Sequence, residues 1–217
     1  MTIVGGGASS TIIDGNGNLT GDRVMFVSLN TSVSISGVTI QHGRGFGGGG
    51  VYCQGCSLAM KDSAVLDNDA QGNVGGGILV GGPVPASVTI EGSTIAGNAA
   101  EAGGGVFLAG GAISIVNSTV SGNRAYGDGG GIVAYLGGVS LYNVTVAGNR
   151  ADVGLDGMPD GVGKGGGLAV RSDSAPLRFR NSIIAGNRET REFQDNWLGV
   201  ARSSPRSGPA LQGAGPR

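Results

Sequence analysis

The chain has 217 residues, 47 of them glycine, with 5% aromatic and 13% charged residues and a net charge of −1. The glycines lack the strict third-residue period of collagen, and a hydrophobic fraction of 39% with Val, Ile and Leu recurring at fixed places argues against disorder. There is no basic run to hold nucleic acid and no apolar stretch long enough to span a bilayer, and the opening MTIVGGGASS lacks the charged and apolar regions of a signal peptide.

The chain is self-similar along its length, and this decides the fold. The opening segment reads as an incomplete coil, with Val33, Ile35 and Ile40 at its apolar positions and Gly43 where later coils carry asparagine. Met1 falls inside a repeat, so the sequence reads as a piece of something longer. Five coils follow, each marked by a triple glycine ending at Gly50, Gly77, Gly105, Gly131 or Gly167 and closed by Asn68, Asn98, Asn123, Asn149 or Asn187.

Alignment on those asparagines produces four apolar columns. Ten residues before stand Leu58, Val88, Ile113, Val139 and Leu177, and eight before stand Met60, Ile90, Ile115, Leu141 and Phe179. Three before stand Val65, Ile95, Val120, Val146 and Ile184, and directly after the glycines stand Val51, Ile78, Val106, Ile132 and Leu168. Residues two apart in a strand share a face, so the columns form one interior. Glycine triplets and β-branched alternation oppose helix, which rules out a helical solenoid. The expectation is an all-β, single-stranded right-handed parallel β-helix over residues 1–187, with coils of about 26 residues and three short strands per coil. Residues 188–217 form a separate tail.

The segment Gly103 to Asn123, with GGGV followed by NSTVSGN, and the opening TIVGGGASSTIIDGNG carry a resemblance. They are similar to right-handed β-helix repeat proteins of the pectin-lyase-like superfamily, in particular secreted bacterial proteins with GGGI and NSTISGN repeats. The likeness spans residues 2–187; a looser one is to polymorphic outer-membrane proteins, which favour GGA with an aliphatic residue and F-x-x-N where the repeats of this chain have GGG and no Phe. The resemblance implies a β-helix at the cell surface or outside the cell. It also raises the alternative of a polysaccharide lyase or glycoside hydrolase.

The asparagines are expected to form a structural ladder, and Gly97, Gly122, Gly148 and Gly186 supply the left-handed turn before it. Asn117, Asn143 and Asn181 form a second turn column, and the sequons at Asn18, Asn30, Asn117 and Asn143 are what such turns produce. GRGFGG from Gly43 to Gly48 precedes a strand, not a helix, and is no dinucleotide site. Cys53 and Cys56, with His42 the one histidine, cannot assemble a zinc site. Cys53 reads as a buried small hydrophobe, with a local disulfide as the alternative in a secreted chain.

No cofactor is expected. The one metal candidate is a calcium loop at Asp152, Asp156 and Asp160, against which a solvated acidic loop is favoured. Outward positions of the central coils hold no facing carboxylates, which favours a non-catalytic structural, adhesion or glycan- or protein-binding module. A catalytic alternative would place its site beyond this sequence or at Arg171, Arg178 and Arg180. The candidate binding surface is an outward apolar stripe of Tyr52, Leu79, Phe107 and Val133, continued by Ala169. A second outward column, Thr39, Thr94, Thr119 and Thr145, suggests an ice-binding face, but ordinary β-preference explains it better. In the tail, residues 189–199 are expected to cap the last coil as a short helix or compact turn around Phe193 and Trp197, with residues 203–217 disordered.

Overall fold

The computed structural model describes residues 1–151, 164–170 and 176–189, together with the backbone of Trp197–Leu198. The described residues form a parallel β-helix with three seven-stranded sheets. The first sheet runs from Thr2–Val4 through Ser57–Lys61 and Ala112–Val116 to Leu177–Arg180. The second runs from Ile12–Asp14 to Ile183–Ala185, and the third from Met25–Val27 to Trp197–Leu198.

Every pairing is parallel, and the register joins the apolar columns residue to residue. Met60 opposes Ile90, Ile90 opposes Ile115, and Ile115 opposes Leu141. Val65, Ile95, Val120 and Val146 are likewise opposed in sequence. Ile90, Ile115, Ile95 and Ile132 are fully buried, each contributing about 1.5–3 kcal/mol by leaving water.

The triple glycine has three separate physical reasons, seen at Gly103 to Gly105. Gly103 has φ 64°, a left-handed conformation that a side chain disfavours. A Cβ on Gly104 would run into the Arg124 carbonyl of the next coil, and one on Gly105 would lie 3.0 Å from the Asn123 amide nitrogen. Coils therefore approach backbone to backbone here, and no larger residue fits.

Four expectations are corrected. A fourth, short sheet follows the ladder asparagines in the later coils, built of Ala99–Ala100, Arg124–Ala125, Arg150–Ala151 and Arg188–Glu189. Ala100, Ala125 and Ala151 are fully buried at its corner, small enough to let the chain turn sharply. Thr39 keeps its outward side but is only 5% exposed, because the segment around Ala8 covers it and its hydroxyl donates to the Ala8 carbonyl at 2.6 Å. Cys53 and Cys56 are both buried, as expected for Cys53, but they are joined in a disulfide. Trp197–Leu198 pairs as a strand with Leu168–Ala169, where a short helix or compact turn was expected. The rest of that segment, and residues 203–217, lie outside the described residues.

Candidate functional site

Three features organise the surface and the turns. The first is the asparagine ladder. Asn123 Nδ2 donates to Asn149 Oδ1 at 2.9 Å and to the Ile95 carbonyl at 3.0 Å. Its own Oδ1 accepts from both the backbone N–H and the Nδ2 of Asn98, at 3.0 and 2.9 Å. The same pattern joins Asn68 to Asn98 and Asn149 to Asn187, and all five side chains are 0–1% exposed. Where the first coil has Gly43, its backbone N–H supplies the donor to Asn68 Oδ1 at 2.9 Å.

A serine ladder, unanticipated in the sequence, runs parallel to it. The Ser63 N–H donates to Ser93 Oγ at 3.1 Å and the Ser93 N–H to Ser118 Oγ at 3.0 Å, while each hydroxyl donates to a carbonyl two residues back. These serines stand five before the asparagine in their coils, a column readable from the same alignment but broken by Val38 and Val144.

The second feature is the outer face of the third sheet. Phe26, Tyr52, Leu79, Phe107, Val133 and Ala169 are directly opposed across it. Phe26 is 51% exposed, and Tyr52, Leu79 and Phe107 are half-buried, but Val133 and Ala169 are fully buried, which corrects the expected stripe at its far end. The first glycine of each triplet arches over this position: a Cβ there would approach the Cβ of Tyr52, Leu79, Phe107 or Ala169 within 2.9–3.1 Å. Long side chains project past the arch, and valine and alanine do not. The Arg23 guanidinium lies 5.2 Å from the Tyr52 ring centre and 5.7 Å from that of Phe26, and Tyr135 stacks on Phe107 with centres 6.1 Å apart. Phe46, whose carbonyl accepts from Arg23 at 3.2 Å, and Leu136, next to Tyr135 in the chain, are also exposed.

The third is a polar groove, two adjoining hollows of about 410 and 330 Å³ that share Asn18 and His42. Asp14 accepts from Gln41 Nε2 at 2.8 Å, the Asn16 N–H at 2.9 Å and His42 Nδ1 at 2.8 Å. These donors, Gln41 foremost, lower its pKa from 3.8 to about 2. The carboxylate therefore stays ionised and acts as acceptor toward all three groups, with the His42 ring donating through Nδ1. The pairing joins residues 28 apart, with His42 at the left-handed turn position that glycine fills in later coils, and no other coil repeats the pair, so the periodicity of the sequence does not announce it.

A carboxylate with a depressed pKa stabilises the fold above the ordinary carboxylate range, and the contribution fades as pH falls toward 2. In an NMR titration the Asp14 carboxyl carbon is expected to have its midpoint near 2, moving toward 3.8 in Gln41→Ala. A midpoint near 3.8 in the unaltered protein would show that these donors are not engaged.

Asp152, Asp156, Asp160 and Arg171 lie outside the described residues, and Arg178 and Arg180 are exposed on the last strand of the first sheet. Among the described residues no group of three His, Cys, Asp or Glu side chains is placed to hold a metal, and no helix is long and apolar enough to cross a membrane. A family model described as a right-handed β-helix region matches residues 23–195. No curated protein and no solved structure shows significant similarity to the chain.

Proposed function

The chain belongs to the right-handed β-helix family, and on that premise we propose that it is an extracellular or cell-surface module that binds a glycan or another surface protein. The observation that carries this reading is the row of Phe26, Tyr52, Leu79 and Phe107, which presents aromatic and apolar side chains over about 14 Å, three strand spacings of roughly 4.8 Å. Stacking faces at regular steps suit an extended ligand lying across the strands. The Cys53–Cys56 disulfide fits an oxidising compartment.

On a panel of immobilised glycans and surface proteins, Tyr52→Ala and Phe107→Ala are each expected to weaken binding by about 1 kcal/mol, roughly fivefold. Glu91→Ala, on the first sheet, should leave it unchanged. Variants that bind as the unaltered protein does would remove the aromatic row from the reading.

A second reading, a carbohydrate-active enzyme, is favoured by the orientation of His42 in the polar groove. Following the same glycans for new reducing ends or unsaturated products, with His42→Ala as control, separates it from simple binding.

A further inference from the structure

Side chains on the outer face of a sheet stand roughly perpendicular to it, so the row on the third sheet is a line of upright posts whose spacing the strands fix. Tyr52 opposes Leu79 and Leu79 opposes Phe107, which puts the two aromatic residues two coils, about 9.6 Å, apart with an aliphatic residue between them. All three are half-buried. Ring contacts of about 3.5–4.0 Å on either side account for most of that separation, so one compact ring seated on Leu79 touches both walls. On one flank Gly47 lies against Leu79, where a Cβ would be 3.3 Å from Leu79 Cδ2, and its chain neighbour Phe46 is exposed. Tyr135, stacked on Phe107 with the planes 23° apart, thickens the far wall.

The arrangement is a slot and not a platform. A sugar stacks on a flat aromatic face, and a glycan lying across the coils needs such faces in succession. Here Phe26 and Tyr52 are tilted 55° to each other, and Leu79 interrupts the aromatic residues. At the near end the Arg23 guanidinium is held over Phe26 and Tyr52 and donates to the Phe46 carbonyl at 3.2 Å. Arg23 enters none of the ion pairs among the described residues, so its charge and its further N–H donors are available to a ligand.

We propose that the slot between Tyr52 and Phe107 receives a proline of a proline-rich protein segment that runs along the solenoid axis as a polyproline II helix, with an acidic residue of that segment meeting Arg23. The proposal rests on the aromatic row being a binding surface and names its partner. The pitch supports it: polyproline II has three residues per turn and rises about 3.1 Å per residue, so one face recurs about every 9.3 Å, close to two coils. The same face of an extended strand recurs about every 6.6 Å and a turn of α-helix about every 5.4 Å, and neither keeps step with the walls. Polyproline II is pre-formed, which lowers the entropy lost on docking, and its carbonyls, without partners of their own, accept from Arg23 and the Tyr52 hydroxyl. Arg23 supplies the charge complementarity for the acidic residue.

The test measures binding of the full chain to an oligoproline ending in two glutamates, the same oligoproline ending in two lysines, a Gly-Ser peptide ending in two glutamates, and a cello-oligosaccharide. The acidic oligoproline is expected to bind about tenfold more tightly than either other peptide. Phe107→Ala should weaken it about fivefold, and Arg23→Gln should abolish the preference for glutamate over lysine while binding persists. Leu79→Phe is the decisive variant, because it fills the slot yet lengthens the aromatic row. In that variant, its fold checked by thermal melting, oligoproline binding should fall about tenfold while any oligosaccharide binding is kept or raised. Oligoproline binding that survives Leu79→Phe or Phe107→Ala, or equal binding of the proline and Gly-Ser peptides, would overturn the proposal. Oligosaccharide binding that depends on Phe107, with no binding of the oligoproline, would overturn it and leave the aromatic row as a binding surface. Failure of every peptide, glycan and surface protein would overturn both.

Discussion

Ile115→Asp is expected to yield no folded protein, while Ser114→Asp melts within a few degrees of the original. Ile115 is fully buried in the middle of the first sheet, opposed by Ile90 on one side and Leu141 on the other. A carboxylate there has no partner, and its desolvation exceeds anything the neighbouring coils can return. Because each coil is stable only through its neighbours, the damage spreads in both directions along the stack. Ser114 is the adjacent residue on the opposite face, half-buried, where the substitution alters strand preference by about 1 kcal/mol at most. Circular dichroism and thermal melting of the two variants make the comparison, and identical behaviour would refute the assignment of faces.

Asn123→Ala is the second large effect. The substitution leaves the Asn98 amide groups, the Ile95 carbonyl and Asn149 Oδ1 each short of a buried partner. At about 1–3 kcal/mol for an unsatisfied buried group, the upper end of that range is expected. For a chain of this size that corresponds to a melting temperature lower by roughly 6–12 °C. Binding at a surface distant from the turn should be retained by whatever fraction remains folded. Unchanged stability together with loss of a binding activity would instead make the asparagine a ligand.

The interior was legible in the sequence because stacking forces repetition: Met60, Ile90, Ile115 and Leu141 must resemble one another since each lies on the next. What the alternation of a strand cannot convey is what else comes to lie against its outer face. Val133 and Thr39 occupy outward positions as read, but a glycine arch covers one and the segment around Ala8 the other. Nor does alternation report chemistry between sulfur atoms, which is why Cys53 was read as a small hydrophobe when it is also half of a disulfide. Asp14 and His42 escaped because their meeting depends on the register of Asp14 beside Gln41, in a coil that departs from the common pattern. Arg124, Arg150 and Arg188 were in plain view as GNR at three of the coil closures, yet isolated charges after a turn draw no notice until the register aligns them.

The ladder separates contour from height. Successive asparagines are 30, 25, 26 and 38 residues apart, yet their amide contacts stay between 2.8 and 3.0 Å. What the stack requires is that the chain come back to the same point, and it is indifferent to how far the chain travelled in between. The longest of these intervals, 38 residues from Asn149 to Asn187, leaves the levels above and below it in the same alignment as the shortest, so a change of contour length between two levels does not pass to the rest of the stack.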